Sequence, residues 1–187
     1  RLRLASPPSG FTFKGITIQS EVSQSRVLHG VFVTNVQNVD ISDNQIYGFP
    51  TGTGISASSV SGQICRNHIH DFAQSASGVF TGGNPQSTAI EIDNYRVDTT
   101  NSADLIISHN RIKQLSFTGS ALAAYADQSD GINIQSEPAG GSSRIVVSDN
   151  VISNVGEGID NFGSHVTISG NVIASVNHFG IKIVHKS

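Results

Sequence analysis

The sequence predicts an all-β solenoid in which three short strands make up each turn. A short phrase recurs five times with an asparagine in one register, at Asn44, Asn67, Asn110, Asn150 and Asn171. An isoleucine or valine stands three positions before each asparagine, and an isoleucine stands two positions after it. A third apolar stretch, usually introduced by Gly-Ile, follows each phrase. Three strands per repeat imply a chain that coils around one axis.

Composition supports a β-rich chain and narrows the function classes. The 187 residues suffice for one domain with a buried core, and the 19 glycines, 13% charged residues and absence of methionine and tryptophan disfavour helices. A net charge of −3 offers no basic stripe for nucleic acid, and no apolar run approaches the roughly 20 residues of a membrane span. We therefore expect neither nucleic acid nor a bilayer as a partner.

Each asparagine phrase is predicted to form two strands joined by a tight bend at the asparagine itself, which tolerates left-handed backbone angles. In the first full phrase these strands are residues 39–42 and 45–49, and residues 54–58 form the third strand. An earlier turn fits the pattern with Ile16 in the asparagine position and residues 30–33 as its third strand. About six turns result.

The repeat length varies only beside the third strand. Successive asparagines are 23, 43, 40 and 21 residues apart, so a basal turn is expanded twice. The extra residues fall in four segments that flank the third strands, at 73–88, 94–103, 116–129 and 136–142. Because loops accept insertions where binding needs walls, we predict a groove over the third strands.

The asparagine phrase resembles the PbH1-type repeats of the right-handed parallel β-helix in the pectin-lyase-like superfamily, over essentially all of residues 1–187. The resemblance implies that the asparagines stack as a ladder between the strands called PB2 and PB3. It also implies that the third strand of each repeat is PB1, the strand over which that family binds polysaccharide.

Both ends of the predicted helix are uncovered. The last strand, 181–184, runs almost to the C-terminus, and no amphipathic cap helix is apparent before Phe11. Uncovered strand edges invite pairing. We expect a single β-helix domain, residues 1–187, that is a fragment of a longer protein lacking its end caps, with neighbouring domains or protomers as partners at the open ends.

Strict alternation along PB1 selects the candidate catalytic groups. It points Glu91, Asp93 and Asp160 outward, and twice the strand spacing separates Glu91 from Asp160 by about 9.6 Å. That distance is at the upper limit of the carboxyl separation in inverting glycosidases, about 6.5–9.5 Å. The alternative for each residue is a solvated carboxylate without a function.

Candidate substrate-binding residues surround these carboxylates. They are Asn133, Gln135 and Lys182 on PB1, and Tyr95, Arg96, Tyr125 and Asp130 in predicted loops. Tyrosines stack on sugar rings, and an arginine neutralises a uronate. No metal site is predicted, because His68 and His70 lack a third ligand. No cofactor is predicted either; a calcium ion is compatible with the acidic residues, but no sequence feature supports one.

The leading hypothesis is a secreted or cell-surface β-helix that acts on an acidic or complex polysaccharide, by hydrolysis ahead of lyase or epimerase chemistry. The Asn-Thr-Asp, Asp-Asp and Gly-His-Gly elements of polygalacturonases are missing, as is the Asp-Pro-His-Asp signature of mannuronan epimerases, and the Arg111–Lys113 triplet lies off the groove. The alternatives are a non-catalytic glycan-binding or tailspike-like segment, which would place the chain on a virion, and a structural repeat of a surface protein.

Overall fold

The computed structural model describes a coil of strands. The described residues are 2–5 (backbone only), 10–20, 29–49, 52–72, 87–93, 104–113, 115, 129–135 and 144–184. Nineteen strands in these residues form three parallel sheets. Within this part of the chain there is no helix that could cross a membrane. The predicted all-β coil with three strands per turn and about six turns is confirmed.

Each sheet runs the length of the coil and takes one strand from each turn. Sheet A corresponds to PB1 and contains β1 (Leu2–Ala5), β4 (His29–Thr34), β7 (Gly52–Ser58), β10 (Ser87–Asp93), β13 (Ser129–Ile134), β16 (Glu157–Asn161) and β19 (Ile181–Ile183). Sheet B corresponds to PB2 and contains β2 (Thr12–Lys14), β5 (Val39–Ser42), β8 (Gly62–Cys65), β11 (Asp104–Ser108), β14 (Arg144–Ser148) and β17 (Val166–Ser169). Sheet C corresponds to PB3 and contains β3 (Thr17–Gln19), β6 (Gln45–Tyr47), β9 (His68–His70), β12 (Arg111–Lys113), β15 (Val151–Val155) and β18 (Val172–Val176).

The core lies inside the coil and consists of stacked aliphatic side chains. In sheet C, Ile46, Ile69, Ile112 and Ile152 are adjacent in register, and none of them is exposed to solvent. Burying each such side chain contributes about 1.5–3 kcal/mol to folding. A one-residue slip of any turn would turn its apolar residues outward, so this stacking sets the register.

The predicted asparagine ladder is present. Asn67 Nδ2 donates to Asn110 Oδ1 at 3.0 Å, and the Asn67 backbone N–H donates to the same oxygen at 3.0 Å. The same pair of bonds links each asparagine to the next, from Asn44 to Asn171. At the first turn, the Ile16 backbone N–H donates to Asn44 Oδ1 at 3.0 Å, so Ile16 occupies the asparagine position as predicted.

The bend beside the ladder differs from the prediction. The residue with left-handed backbone angles is the one before each asparagine and before Ile16, and its φ lies between 55° and 67° at Gly15, Asp43, Arg66, His109, Asp149 and Gly170. Turning the chain one residue earlier leaves the N–H of the asparagine directed at the side-chain oxygen of the following turn. Aspartate, glycine and histidine tolerate this conformation better than most residues, while Arg66 is an uncommon occupant.

Several boundaries were not foreseen. Strand β1 was not assigned from sequence, yet Leu2 pairs with Val31 of β4. Residues 87, 88 and 129, expected in inserted loops, begin β10 and β13. The rest of the four inserted segments lies outside the described residues. In the last turn Ile183 is 72% exposed.

Candidate functional site

The outward row predicted for PB1 exists. In sheet A, Glu91 is the register partner of Asn133, Asn133 of Asp160, and Asp160 of Lys182. Glu91 and Asp160 therefore flank Asn133, two strand spacings apart as predicted. Thr53 Oγ1 donates to Glu91 Oε2 at 3.2 Å.

A second polar row, three residues earlier in each strand, was missed. It consists of Thr53, Thr88, Asp130 and Glu157, which are successive register partners. Strict alternation would turn this row toward the core. Instead Asn133 Nδ2 donates to Asp130 Oδ2 at 2.8 Å, which brings the two rows together on one side of the sheet.

Two consecutive inward positions explain why alternation fails. Ile132 is fully buried, and a Cβ added to Gly131, the residue before it, would lie 2.7 Å from the core atom Ile152 Cγ2. Because Gly131 and Ile132 both face inward, Asp130 and Asn133 on either side of them share the outer face. Gly131 also has no register partner in β10 or β16, although the residues on both sides of it are paired, which marks a local irregularity in the strand.

Three carboxylates and a lysine meet where these rows cross. Oxygens of Asp130, Glu157 and Asp160 all lie within 4.8 Å of one another. Lys182 Nζ lies 2.9 Å from Glu157 Oε2 and 2.9 Å from Asp160 Oδ2, and His178 Nδ1 lies 2.9 Å from Glu157 Oε1. The side chains come from three successive turns of the coil. We call Asp130, Asn133, Glu157, Asp160 and Lys182 the acid cluster.

The carboxylates of the acid cluster are buried, and burial governs their ionisation. Asp130 is 8% exposed, and desolvation, with the charges of Asp160 and Glu157, raises its pKa to about 7 although Asn133 donates to it. Desolvation also raises the pKa of Asp160, against the opposing effect of Lys182. Burial alone would lower the pKa of Lys182, but its bonds to Asp160 and Glu157 raise it overall. At neutral pH Asp130 therefore retains a proton in a large fraction of molecules.

Among the described residues, these three carboxylates are the group whose spacing suits a metal ion. Their oxygens are the ligand type that calcium prefers. However, the Lys182 ammonium already bridges Glu157 and Asp160, and a dication in the same place would meet its positive charge. The residues present do not fit a resident cation unless Lys182 moves away.

The other predicted site residues are dispersed. Glu91 pairs with Asn133 but is not one of the three convergent carboxylates. Burial, opposed by the bond from Thr53 and reinforced by the charge of Asp93, raises its pKa. Asp93 is the register partner of Ser58 in β7, and β7 lies on the opposite side of β10 from the strand that carries Asn133. Gln135 is half-buried just after β13, where its N–H donates to the Ile92 carbonyl. Tyr95, Arg96 and Tyr125 lie outside the described residues.

Asp130 has a different setting from the predicted one. It was expected in a loop, and it lies in β13 with its carboxylate in the acid cluster. Glu157 and His178 were not selected from sequence at all. A signal for the missed row was available, because a polar residue stands immediately before the Gly-Ile or Ala-Ile step at Thr53, Thr88, Asp130 and Glu157.

The features set aside from sequence lie on other faces. His68 and His70 are on sheet C, where His70 Nδ1 is 2.7 Å from Asp71 Oδ2 and the Gln45 amide is 3.1 Å from His70 Nε2. Arg111–Lys113 is strand β12 of the same sheet. A shallow open depression on sheet B is lined in part by Asp40, Gln63 and Ile106. None of these adjoins the acid cluster.

Comparison with known proteins agrees with the architecture. The model of the family described as "Right handed beta helix region" matches residues 6–187. No curated protein and no solved structure matches the chain with significant similarity. The family match covers nearly the whole sequence, and the three parallel sheets with one strand per turn are the structure that the family description names. The chain belongs to the right-handed β-helix family.

Proposed function

We propose that this β-helix binds a polysaccharide across the outer face of sheet A and hydrolyses it at the acid cluster. The observation that carries the proposal is the convergence of Asp130, Glu157 and Asp160 within 4.8 Å, next to Lys182, on the outer face of sheet A. Glycoside hydrolysis needs one carboxyl group that holds a proton and one that does not. Burial raises the pKa of both Asp130 and Asp160, but of the two only Asp160 is bonded by Lys182, which favours its ionised form.

Asp130 has the properties of the general acid. With a pKa of about 7 it can protonate the glycosidic oxygen of the leaving sugar at neutral pH. The leaving sugar departs as an alcohol, and Asp130 becomes a carboxylate. It can then take a proton from the water that completes the reaction.

Asp160 has the properties of the partner carboxylate. Its Oδ2 is held by Lys182, while its buried Oδ1 has no hydrogen-bond partner among the described residues. Oxygens within 4.8 Å leave no room for the intervening water of an inverting enzyme, which needs carboxyl groups about 6.5–9.5 Å apart. We therefore expect the Asp160 carboxylate to attack the anomeric carbon and displace the leaving sugar, which Asp130 protonates. Water then hydrolyses the resulting glycosyl ester with net retention.

Hydrolysis is favoured over elimination because a lyase needs a cationic group to neutralise the uronate beside its C5 base. On the described outer face of sheet A, Lys182 is the single lysine or arginine side chain, and two carboxylates already engage it. The pairing of Lys182 supports the hydrolytic reading.

The test uses purified protein with neutral and uronate-containing polysaccharides, read by new reducing ends and by absorbance of unsaturated products. Asp130→Asn and Asp160→Asn should each lower the rate of reducing-end formation by about 10²–10⁴-fold. Asp104→Asn, which removes a carboxylate from the exposed pair with Arg144 on sheet B, is the matched control and should retain the wild-type rate. If unsaturated product forms instead, the reaction is elimination and the hydrolytic proposal is wrong.

A second candidate is non-catalytic glycan binding. It is favoured by the burial of the acid cluster, since Glu157 is 3% and Asp160 is 4% exposed. Glycan binding without turnover, unchanged by Asp130→Asn, would select this function over hydrolysis.

A further inference from the structure

We propose that the outer face of sheet C holds a second glycan-binding site, at β9 and β12, where Arg111 and Lys113 bind the anionic groups of an acidic polysaccharide. The site lies on a different sheet from the acid cluster, and no step of the proposed hydrolysis depends on it. The anionic groups are carboxylates or sulfates, which share the chemistry recognised here, an oxygen that accepts hydrogen bonds from a cationic N–H donor.

The first support is that Arg111 and Lys113 have no anionic partner. The structure describes six lysine and arginine side chains, and the other four pair with carboxylates. These pairs are Lys14 and Arg66 with Asp43, Arg144 with Asp104, and Lys182 with Glu157 and Asp160. Arg111 and Lys113 make no hydrogen bond or ion pair with their side chains in the part of the chain that the structure describes. Their donors are therefore available to an anion from outside.

The second support is the unequal distribution of charge between the sheets. The strands of sheet A contain five carboxylates, whereas the six described strands of sheet C contain no aspartate or glutamate. Arg111 and Lys113 both point outward from β12, because Ile112 between them is fully buried. An anionic chain is therefore repelled by sheet A and attracted to sheet C.

The two cations lie beside two imidazoles of the neighbouring strand. Arg111 is the register partner of His68, and Lys113 is the register partner of His70. Adjacent strands are about 4.8 Å apart and alternate residues of a strand about 6.7 Å apart, so the four side chains share one small patch. The Asp71 carboxylate is held by His70, with Oδ2 2.7 Å from Nδ1, and does not pair with Lys113. Burial lowers the pKa of His68, and the charges of His70, Arg111 and Lys113 lower it further, as expected in a patch with uncompensated positive charge.

The surroundings of the patch favour a sugar chain over a peptide or a nucleic acid. The next two strands present Val151, which is 46% exposed, and Val172, which is 59% exposed, and the apolar faces of sugar rings can pack on such side chains. A bound peptide usually adds to a sheet edge or fills a groove, whereas β9 and β12 are paired with strands on both sides. Nucleic acid needs a longer run of cations than these two.

The experiment compares acidic oligosaccharides with neutral ones of the same backbone. The probes are polygalacturonate against its fully methyl-esterified form, and dextran sulfate against dextran. Dissociation constants are measured by titration calorimetry at pH 7 with EDTA, using protein that carries Asp130→Asn so that hydrolysis does not consume the probes. We expect acidic chains to bind at least about fivefold more tightly than their neutral counterparts in about 50 mM salt, and salt of about 0.5 M should remove the difference by screening.

Substitutions locate the binding on sheet C. Arg111→Gln and Lys113→Gln should each weaken binding of the acidic chains by about threefold, and the double variant by about tenfold, with neutral chains unaffected. Both side chains point outward and are unbonded, so the fold should be retained, which circular dichroism checks. Arg144→Gln, which removes the same charge from the exposed pair with Asp104 on sheet B, is the matched control and should leave the affinity within about 1.5-fold.

The outcomes separate a site on sheet C from a general effect of charge. Loss of polyuronate or dextran sulfate binding in the double variant alone would support the site and identify which anion it takes. An equal loss in Arg144→Gln, or unchanged affinity in the double variant, would overturn it. Tighter binding of poly-glutamate or of a single-stranded oligonucleotide than of either acidic glycan would also overturn it. Hydrolysis at the acid cluster is read from new reducing ends instead, so each proposal can fail without the other.

Discussion

The asparagine ladder and the acid cluster both bring together polar side chains from successive turns of one coil, and they differ in how completely their atoms are paired. Each ladder amide from Asn44 to Asn150 donates to the next amide and to a backbone carbonyl. The side-chain oxygens of Asn67, Asn110 and Asn150 each accept two N–H groups, and that of Asn44 accepts the Ile16 N–H. In the acid cluster, Asn133 Oδ1 and Asp160 Oδ1 are buried without partners in the described structure. Complete pairing stabilises a fold, whereas incomplete pairing leaves atoms available to a ligand.

Charged residues repeat the contrast. Beside the ladder, the Arg66 guanidinium bonds Asp43 and lowers the pKa of that exposed carboxyl to about 2. In the acid cluster, burial raises the pKa of Asp130 to about 7. The same residue type is thus ionised beside the ladder and partly protonated over sheet A. Four substitutions test whether this difference separates a structural element from a functional one.

Lys182→Met should have the largest effect on stability. It leaves Glu157 and Asp160 as buried carboxylates without their ammonium partner, which costs about 3–5 kcal/mol. Urea unfolding at pH 8 followed by circular dichroism measures the loss, which should shrink at pH 5 because the raised pKa of Asp160 favours proton uptake. Lys14→Met is the control, since Lys14 pairs with exposed Asp43 at 3.4 Å and should change stability little. Equal losses of unfolding free energy in Lys182→Met and Lys14→Met would contradict the difference between the acid cluster and the row beside the ladder.

Asn110→Leu should destabilise by about 3 kcal/mol, because it removes four buried side-chain hydrogen bonds at the centre of the ladder. The same unfolding assay applies. Asn171→Leu, at the half-exposed last rung, should cost less. A ladder that tolerates Asn110→Leu as well as Asn171→Leu would not be the stabilising element argued above.

Asp130→Asn should stabilise the protein at high pH while removing hydrolysis. The folded pKa of Asp130 is raised above its ordinary value, so the folded state binds the proton more tightly and wild-type stability falls as pH rises from about 4 to 7. We expect the thermal midpoint of the wild type to drop by several degrees between pH 5 and pH 8, and Asp130→Asn to flatten that slope. An unchanged slope would show that Asp130 is not the buried acid.

Asp43→Asn should have the smallest effect. The lowered pKa of Asp43 means that its pairing with Arg66 contributes stability above about pH 4, and that this contribution is lost as pH falls toward 2. Because the pair is exposed, we expect a change in thermal midpoint at pH 7 of about a degree or less. A shift as large as the one that Lys182→Met causes in the same assay would mean that the Asp43–Arg66 pair stabilises the fold as strongly as the ion pairs of the acid cluster do.

The ladder could be predicted because its information is periodic. Asn67, Asn110 and Asn150 each stand in one register with buried isoleucines, so the spacing alone identifies which residues stack. The same register placed Glu91, Asn133, Asp160 and Lys182 side by side on the outer face, and the strand pairing agrees.

The acid cluster could be predicted only in part. Lys182 and Asp160 were expected to be neighbours, but Glu157 was not considered, because strict alternation assigns it to the core. The left-handed residue of each bend was predicted one position too late. A repeated asparagine shows where the chain bends, but it does not show which residue of the bend has the positive φ.

The amino-acid pattern was sufficient for the order of strands, the number of turns and the row of residues along each face, because stacked turns repeat the same chemistry at the same position. Three-dimensional packing alone set how adjacent rows meet. Gly131 can face the core next to Ile132 because it has no side chain, since a Cβ there would lie 2.7 Å from Ile152 Cγ2. The two consecutive inward positions bring Asp130 onto the face of Asn133. The chemistry proposed here depends on that contact between turns, which no single repeat contains.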